Sequence, residues 1–131
     1  MADYVVGACM LIRTKAMREI GLMDEGFFMY AEETDWCYRF RQAGWSVAYV
    51  PQAVIVHLGG GSTQQVRAPM LAELYRSRVR FFRKHYGRLP TFGLQGLLLT
   101  MHLSKLARGM LRRKGGTPPL SWGLLLRAMG W

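Results

Sequence analysis

Residues 4–12, YVVGACMLI, are apolar and β-branched on both alternations. A strand with one wet face alternates polar and apolar side chains, so this run predicts a strand buried on both faces of a sheet. Such a strand needs hydrogen-bonded neighbours on each edge. The rest of the chain offers only WSVAYVP (45–51) and AVIVHL (53–58), parted at Pro51. The expectation is an α/β fold of which part of the sheet belongs to a missing segment.

Between these runs the pattern changes from alternation to helical spacing. Thr14 is a candidate N-cap for TKAMREI, which Gly21 closes in a left-handed conformation. After the loop LMDEGFFMY, the acidic group Glu32, Glu33 and Asp35 opens a second helix. Trp36, Cys37 and Phe40 fall on its apolar face, and Gly44 ends it.

GGGST (59–63) marks a shift in composition and divides the chain into 1–66 and 67–131. Beyond it, MLAELYRSRVRFFRKHYG sets Leu71, Tyr75, Val79, Phe82 and Tyr86 on one stripe with arginines around it, a strongly amphipathic helix. LQGLLLTMHLSKLARGMLRRK carries a wide apolar face beside Lys105, Arg108 and Arg112. Its polar interruptions keep it below the roughly 18 uninterrupted apolar residues of a spanning helix. GGTPP (115–119) breaks it, and SWGLLLRAMGW closes the chain.

Charge follows the same division. The formal net charge is +10, the cations concentrate after Gln65, and Glu73 is the only acid after Asp35. That balance predicts an acidic partner, such as a phosphate-bearing ligand or an anionic membrane surface. Nucleic acid is disfavoured, because the aromatics lie on the apolar stripes instead of alternating with the cations as a stacking platform. Cys9 and Cys37 lack zinc-ligand spacing and are too few for a disulfide framework, which predicts free thiols in a reducing cytosol. MADYVVGACMLIR has no basic segment ahead of its apolar run, so no signal peptide is expected.

The carboxylates permit two readings. Acids in a first helical turn are favoured by the macrodipole and by unpaired N–H groups, so Glu32, Glu33 and Asp35 are explained as ordinary helix-start residues. The same environment keeps a carboxylate ionised, as a general base must be. His57, at the end of an apolar run, reads equally as a structural residue or a ligand. The glycines after it lack the Lys of a Walker A loop.

Taken together, GACMLIRTKAMREIGLMDEGFFMYAEETDWCYRFRQAGWSVAYVPQAVIVHLGGGST resembles the second half of a family 2 glycosyltransferase catalytic domain of the GT-A type, with the closest likeness to rhamnosyltransferase-like enzymes of bacterial cell-surface polysaccharide synthesis. SRVRFFRKHYG continues the helix typical of the family. The resemblance implies that Glu33 is the catalytic base. It also implies that Glu32 and Asp35 help place the acceptor, that Gly7 and Ala8 line the sugar and acceptor pocket, and that His57 is a metal ligand. Trp36 is either a wall of that pocket or part of the core.

The implied reaction is an inverting displacement from a nucleotide-diphosphate sugar onto a saccharide or lipid-linked acceptor, with Mn²⁺ or Mg²⁺ stabilising the departing diphosphate. The family's nucleotide-binding half and its D-x-D motif have no counterpart here: Asp3 lacks an acidic partner at that spacing, and Asp24-Glu25 lies elsewhere. The chain is therefore expected to be an acceptor-side fragment, inactive alone, with a basic helical extension at the cytoplasmic face of the cell membrane. The alternative is a non-catalytic, basic membrane-binding module whose acids only cap a helix.

Overall fold

A computed structural model describes residues 1–58, 67–111 and 121–130. It divides into two compact units, Met1–Ser62 and Thr63–Trp131.

The first unit is built on α1 (Thr14–Ile20) and α2 (Glu32–Gln42). α1 lacks a side-chain N-cap, and Gly21 closes it at φ +83, where its N–H donates to the Met17 carbonyl. The Gly21 ψ of −179 makes this a backbone that only glycine adopts readily, and not the left-handed helical cap that was expected. α2 has acids in its first turn and Arg39 and Arg41 in its last, a distribution that complements the helix dipole at both ends. Trp36 and Phe40 pack on Ala16, with Ile12, Met17, Ile20 and Trp45 around them. The Trp36 indole N–H donates to the Gly21 carbonyl at 2.9 Å, so the α1 terminus is bound to the face of α2.

The expected strands do not form: among the described residues there is none, and segments 4–12, 45–51 and 53–58 are irregular. A strand satisfies its backbone only through a neighbour. Here the Ala2 N–H donates to the Val47 carbonyl and the Ala53 N–H to the Val50 carbonyl, which do not make a ladder. Tyr4, Val6, Leu11, Val54, Val56 and Leu58 are consequently exposed. The α/β expectation is corrected to helices with extended apolar segments.

The second unit contains α3 (Arg67–His85), α4 (Arg88–Leu111) and α5 (Trp122–Met129). Tyr75 and Val79 on α3, Leu98 on α4, and Leu125, Ala128 and Met129 on α5 form its core. The Gln95 amide donates to the Met129 carbonyl at 2.6 Å and ties α4 to the end of α5. The expected α3 stripe reaches the core through Val79. Beyond it Tyr86 is exposed and stacks on Phe82 at 5.2 Å instead. α4 starts six residues before the expected run, at Arg88 instead of Leu94. Pro90 is admitted because first-turn N–H groups have no intrahelical partner. GGGST, GGTPP and Arg112 lie outside the described residues.

Candidate active site

The start of α2 is set by unusual backbone. Tyr30 and Ala31 are consecutive non-glycine residues at φ +67 and +64, and Ala31 precedes Glu32 as the N-cap. Left-handed conformations at such residues cost on the order of 1 kcal/mol or more, and they cluster where a chain must aim a functional group. Ala31 has no side chain to cap the helix, so the acids of the first turn meet N–H groups that a Ser or Asp would otherwise engage.

Glu33 is half-buried at this turn. Burial is the main cause that pushes its carboxyl above the ordinary value of 4.5. The negative charge of Glu32 adds to the rise, and the N–H groups of residues 33 and 34 partly oppose it. Oε2 of Glu32 and Oε2 of Glu33 are buried with no hydrogen-bond partner among the described residues. A buried acceptor without a donor is costly.

Gly7 lies beside the stem of this side chain: a Cβ placed there would sit 3.6 Å from Glu33 Cβ and 3.8 Å from Cγ. The backbone of Val5 meets the Cys37 thiol one turn further along α2. Burial raises that thiol above its usual range, with the Glu33 charge adding to the effect, which keeps it protonated. Segment 5–7 thus covers the Glu33 side of α2. Ala8 is exposed beside it.

The other residues of the expected site divide differently. Asp35 is fully buried, and its Oδ2 accepts from Arg39 Nε at 2.8 Å. Arg39 continues to the Ile20 carbonyl at 2.9 Å and the Leu22 carbonyl at 2.7 Å. Asp35 thereby orients the cation that caps the C-terminal end of α1. Trp36 is in the core. His57 is exposed in an irregular segment. Sequence reasoning missed Arg39; its spacing of four from Asp35 was the available signal.

A divalent metal needs converging oxygen or nitrogen donors. Among the described residues no three His, Cys, Asp or Glu side chains form such a group, and His57 does not complete one with Glu32 and Glu33. The described residues do not fit a Mn²⁺ or Mg²⁺ site.

Residues 2–83 match a family described as glycosyltransferase-like family 2. An N-acetylglucosaminyl-diphospho-decaprenol L-rhamnosyltransferase of Mycobacterium tuberculosis is 37% identical over 115 residues, covering 84% of this chain and 37% of the relative. The rhamnosyltransferase WbbL of Escherichia coli is 35% identical over 57 residues, 44% of this chain and 22% of that protein. The low-salt glycan biosynthesis hexosyltransferase Agl10 of Haloferax volcanii is 34% identical over 55 residues, 42% of this chain and 18% of its own. The chain thus spans little more than a third of the mycobacterial relative. No solved structure matches.

Proposed function

The chain belongs to the family 2 glycosyltransferases, and on that premise we propose that it is the acceptor-side part of an inverting enzyme with Glu33 as the general base. The donor is a nucleotide-diphosphate sugar, with rhamnose favoured by the relatives' names, and the acceptor is a saccharide or lipid-linked saccharide. The acceptor hydroxyl donates its hydrogen bond to Glu33, its oxygen attacks the anomeric carbon, and the proton passes to the carboxylate as the diphosphate leaves. The carrying observation is the raised, half-buried carboxyl of Glu33, with one oxygen unpartnered, beside the bare backbone of Gly7.

Glu32 contributes charge that makes its neighbour more basic. Asp35, enclosed by the Arg39 interaction, places α2 through the fold without touching the acceptor. On this reading the reaction takes place at the cytoplasmic face of the membrane. None of the helices among the described residues is long and apolar enough to cross a membrane. α4 nevertheless exposes Leu89, Phe92, Leu97, Met101 and Leu103, beside Lys105 and Arg108, which suits peripheral contact with an anionic surface.

The test is turnover of the intact enzyme that carries these residues, with nucleotide-diphosphate rhamnose and a polyprenyl-diphosphate-linked N-acetylglucosamine. Glu33→Gln is expected to lower kcat by about 10²–10⁴-fold, the usual contribution of a positioned base. A loss of less than about threefold, well under that range, refutes the assignment.

A further inference from the structure

The second unit holds a groove of about 370 Å³ between α3 and the C-terminal end of α5. Arg76, Arg80, Arg83 and Lys84 line it from α3, and Arg127 reaches it from α5. Arg80 follows Arg76 by four, and Arg83 and Lys84 follow Arg80 by three and four, which keeps the α3 cations on one face. The core residues Val79 and Met129 form an apolar part of its wall.

Helix-end electrostatics explain some of these charges. Arg83 and Lys84 occupy the last turn of α3, and Arg127 that of α5, where the dipole favours cations. Arg76 and Arg80 lie further inside α3, where that reason fades. Cations four apart on a helix repel by about 0.2–0.5 kcal/mol. The one acidic side chain in the sequence of this unit, Glu73, meets Arg76 at 3.4 Å. Arg80 and Lys84 take part in further interactions of their own.

We propose that this groove binds the diphosphate group of a phosphate ester. Guanidinium forks match phosphate oxygens in pairs, and an apolar wall strengthens each charge-assisted bond. The volume is at the lower end for ligand pockets, large enough for a diphosphate with part of its ester group. Nearby aromatics are engaged with one another, Phe81 with His85 at 4.8 Å and Phe82 with Tyr86 at 5.2 Å, and offer no platform for nucleic-acid bases. The ester is either lipid-linked or soluble; the recognised chemistry is the same. This inference goes beyond the transfer reading, and its test reads binding without turnover.

The full chain is titrated at physiological salt with inorganic diphosphate by calorimetry, and with phosphatidylcholine vesicles doped with a polyprenyl diphosphate by co-sedimentation. Binding is expected, and Arg80→Gln and Arg127→Gln should each weaken it about tenfold, as for loss of one charge-assisted bond. Arg78→Gln, which removes an exposed α3 charge outside the groove, should change it by less than about twofold. Circular dichroism checks that the helices persist. If a Gln variant loses them, Arg80→Lys, which retains the charge and loses the fork, must still weaken binding.

Binding of inorganic diphosphate supports the site for soluble esters as well, and retention on doped vesicles alone assigns it to a lipid-linked one. The proposal is overturned if neither probe binds or if Arg78→Gln is as damaging as the groove variants. Equal binding to phosphatidylserine vesicles without diphosphate also overturns it. A negative result leaves Glu33 untouched, and full turnover by Glu33→Gln would leave the groove untouched.

Discussion

The two units answer the same problem, burying apolar side chains, with different success. Thr63–Trp131 closes a core from three helices, with Leu98, Leu125 and Met129 almost wholly buried. Met1–Ser62 packs two helices around Trp36 and Phe40 and leaves Leu11, Val54, Val56 and Leu58 in solvent. The difference teaches what each kind of element needs. A helix satisfies its own backbone and needs a partner for one face only, whereas a strand needs another strand before its backbone is satisfied at all. The proposed chemistry lies in the less self-contained unit, where the Asp35–Arg39 ion pair ties α2 to the end of α1.

The largest expected effect breaks that ion pair. Arg39→Ala leaves Asp35 buried without its cation and frees two carbonyls at the end of α1. It should destabilise the first unit by about 3–5 kcal/mol. Hydrogen exchange should show protection lost in α1 and α2 and retained in α3 to α5; equal loss in both units would break the comparison. The converse is Leu125→Ala, expected to cost about 2–5 kcal/mol. That loss should register in the second unit and spare α2.

A smaller effect separates site from scaffold. Gly7→Ala would place a methyl at ordinary contact distance from Glu33, 3.6 Å from its Cβ, so the thermal midpoint should hold. Turnover of the intact enzyme should nevertheless fall about tenfold or more, because the acceptor is displaced from the base. Equal loss of stability and turnover would mean that Gly7 matters only to packing. Smallest is Ser121→Ala, which removes the N-cap bond to Leu124 N–H. At 3.4 Å that bond is long, and its loss should cost about 0.5 kcal/mol, the low end for caps.

The sequence was most legible where one residue decides a local event. Gly21 and Gly44 mark the ends of α1 and α2 as expected, both at positive φ, although Gly21 pairs it with a ψ of −179 instead of the left-handed helical value. Tyr75 and Val79 announce the buried stripe of α3 by spacing alone. The runs at 4–12, 45–51 and 53–58 form no strands among the described residues, since an apolar run reports what a strand would bury and not whether a neighbour is present. Glu33 was named through family resemblance; its contact with Gly7, 26 positions away by 33 − 7, lies beyond any local pattern. Arg127 joins the α3 cations only through packing of α5, which no periodicity on α3 can reveal.

Burial, with the Glu32 charge adding to it, raises the Glu33 carboxyl above 4.5. A raised acid binds more protons folded than unfolded. Its ionisation therefore subtracts stability as pH rises from the ordinary carboxylate range through the folded value, and stability is greatest below that window. The decisive measurement is a carboxyl-carbon NMR titration of Glu33 in the chain and in its Glu32→Gln variant. The account predicts a midpoint above 4.5 that moves down when the Glu32 charge is removed. A midpoint at or below 4.5, indifferent to Glu32, would contradict it.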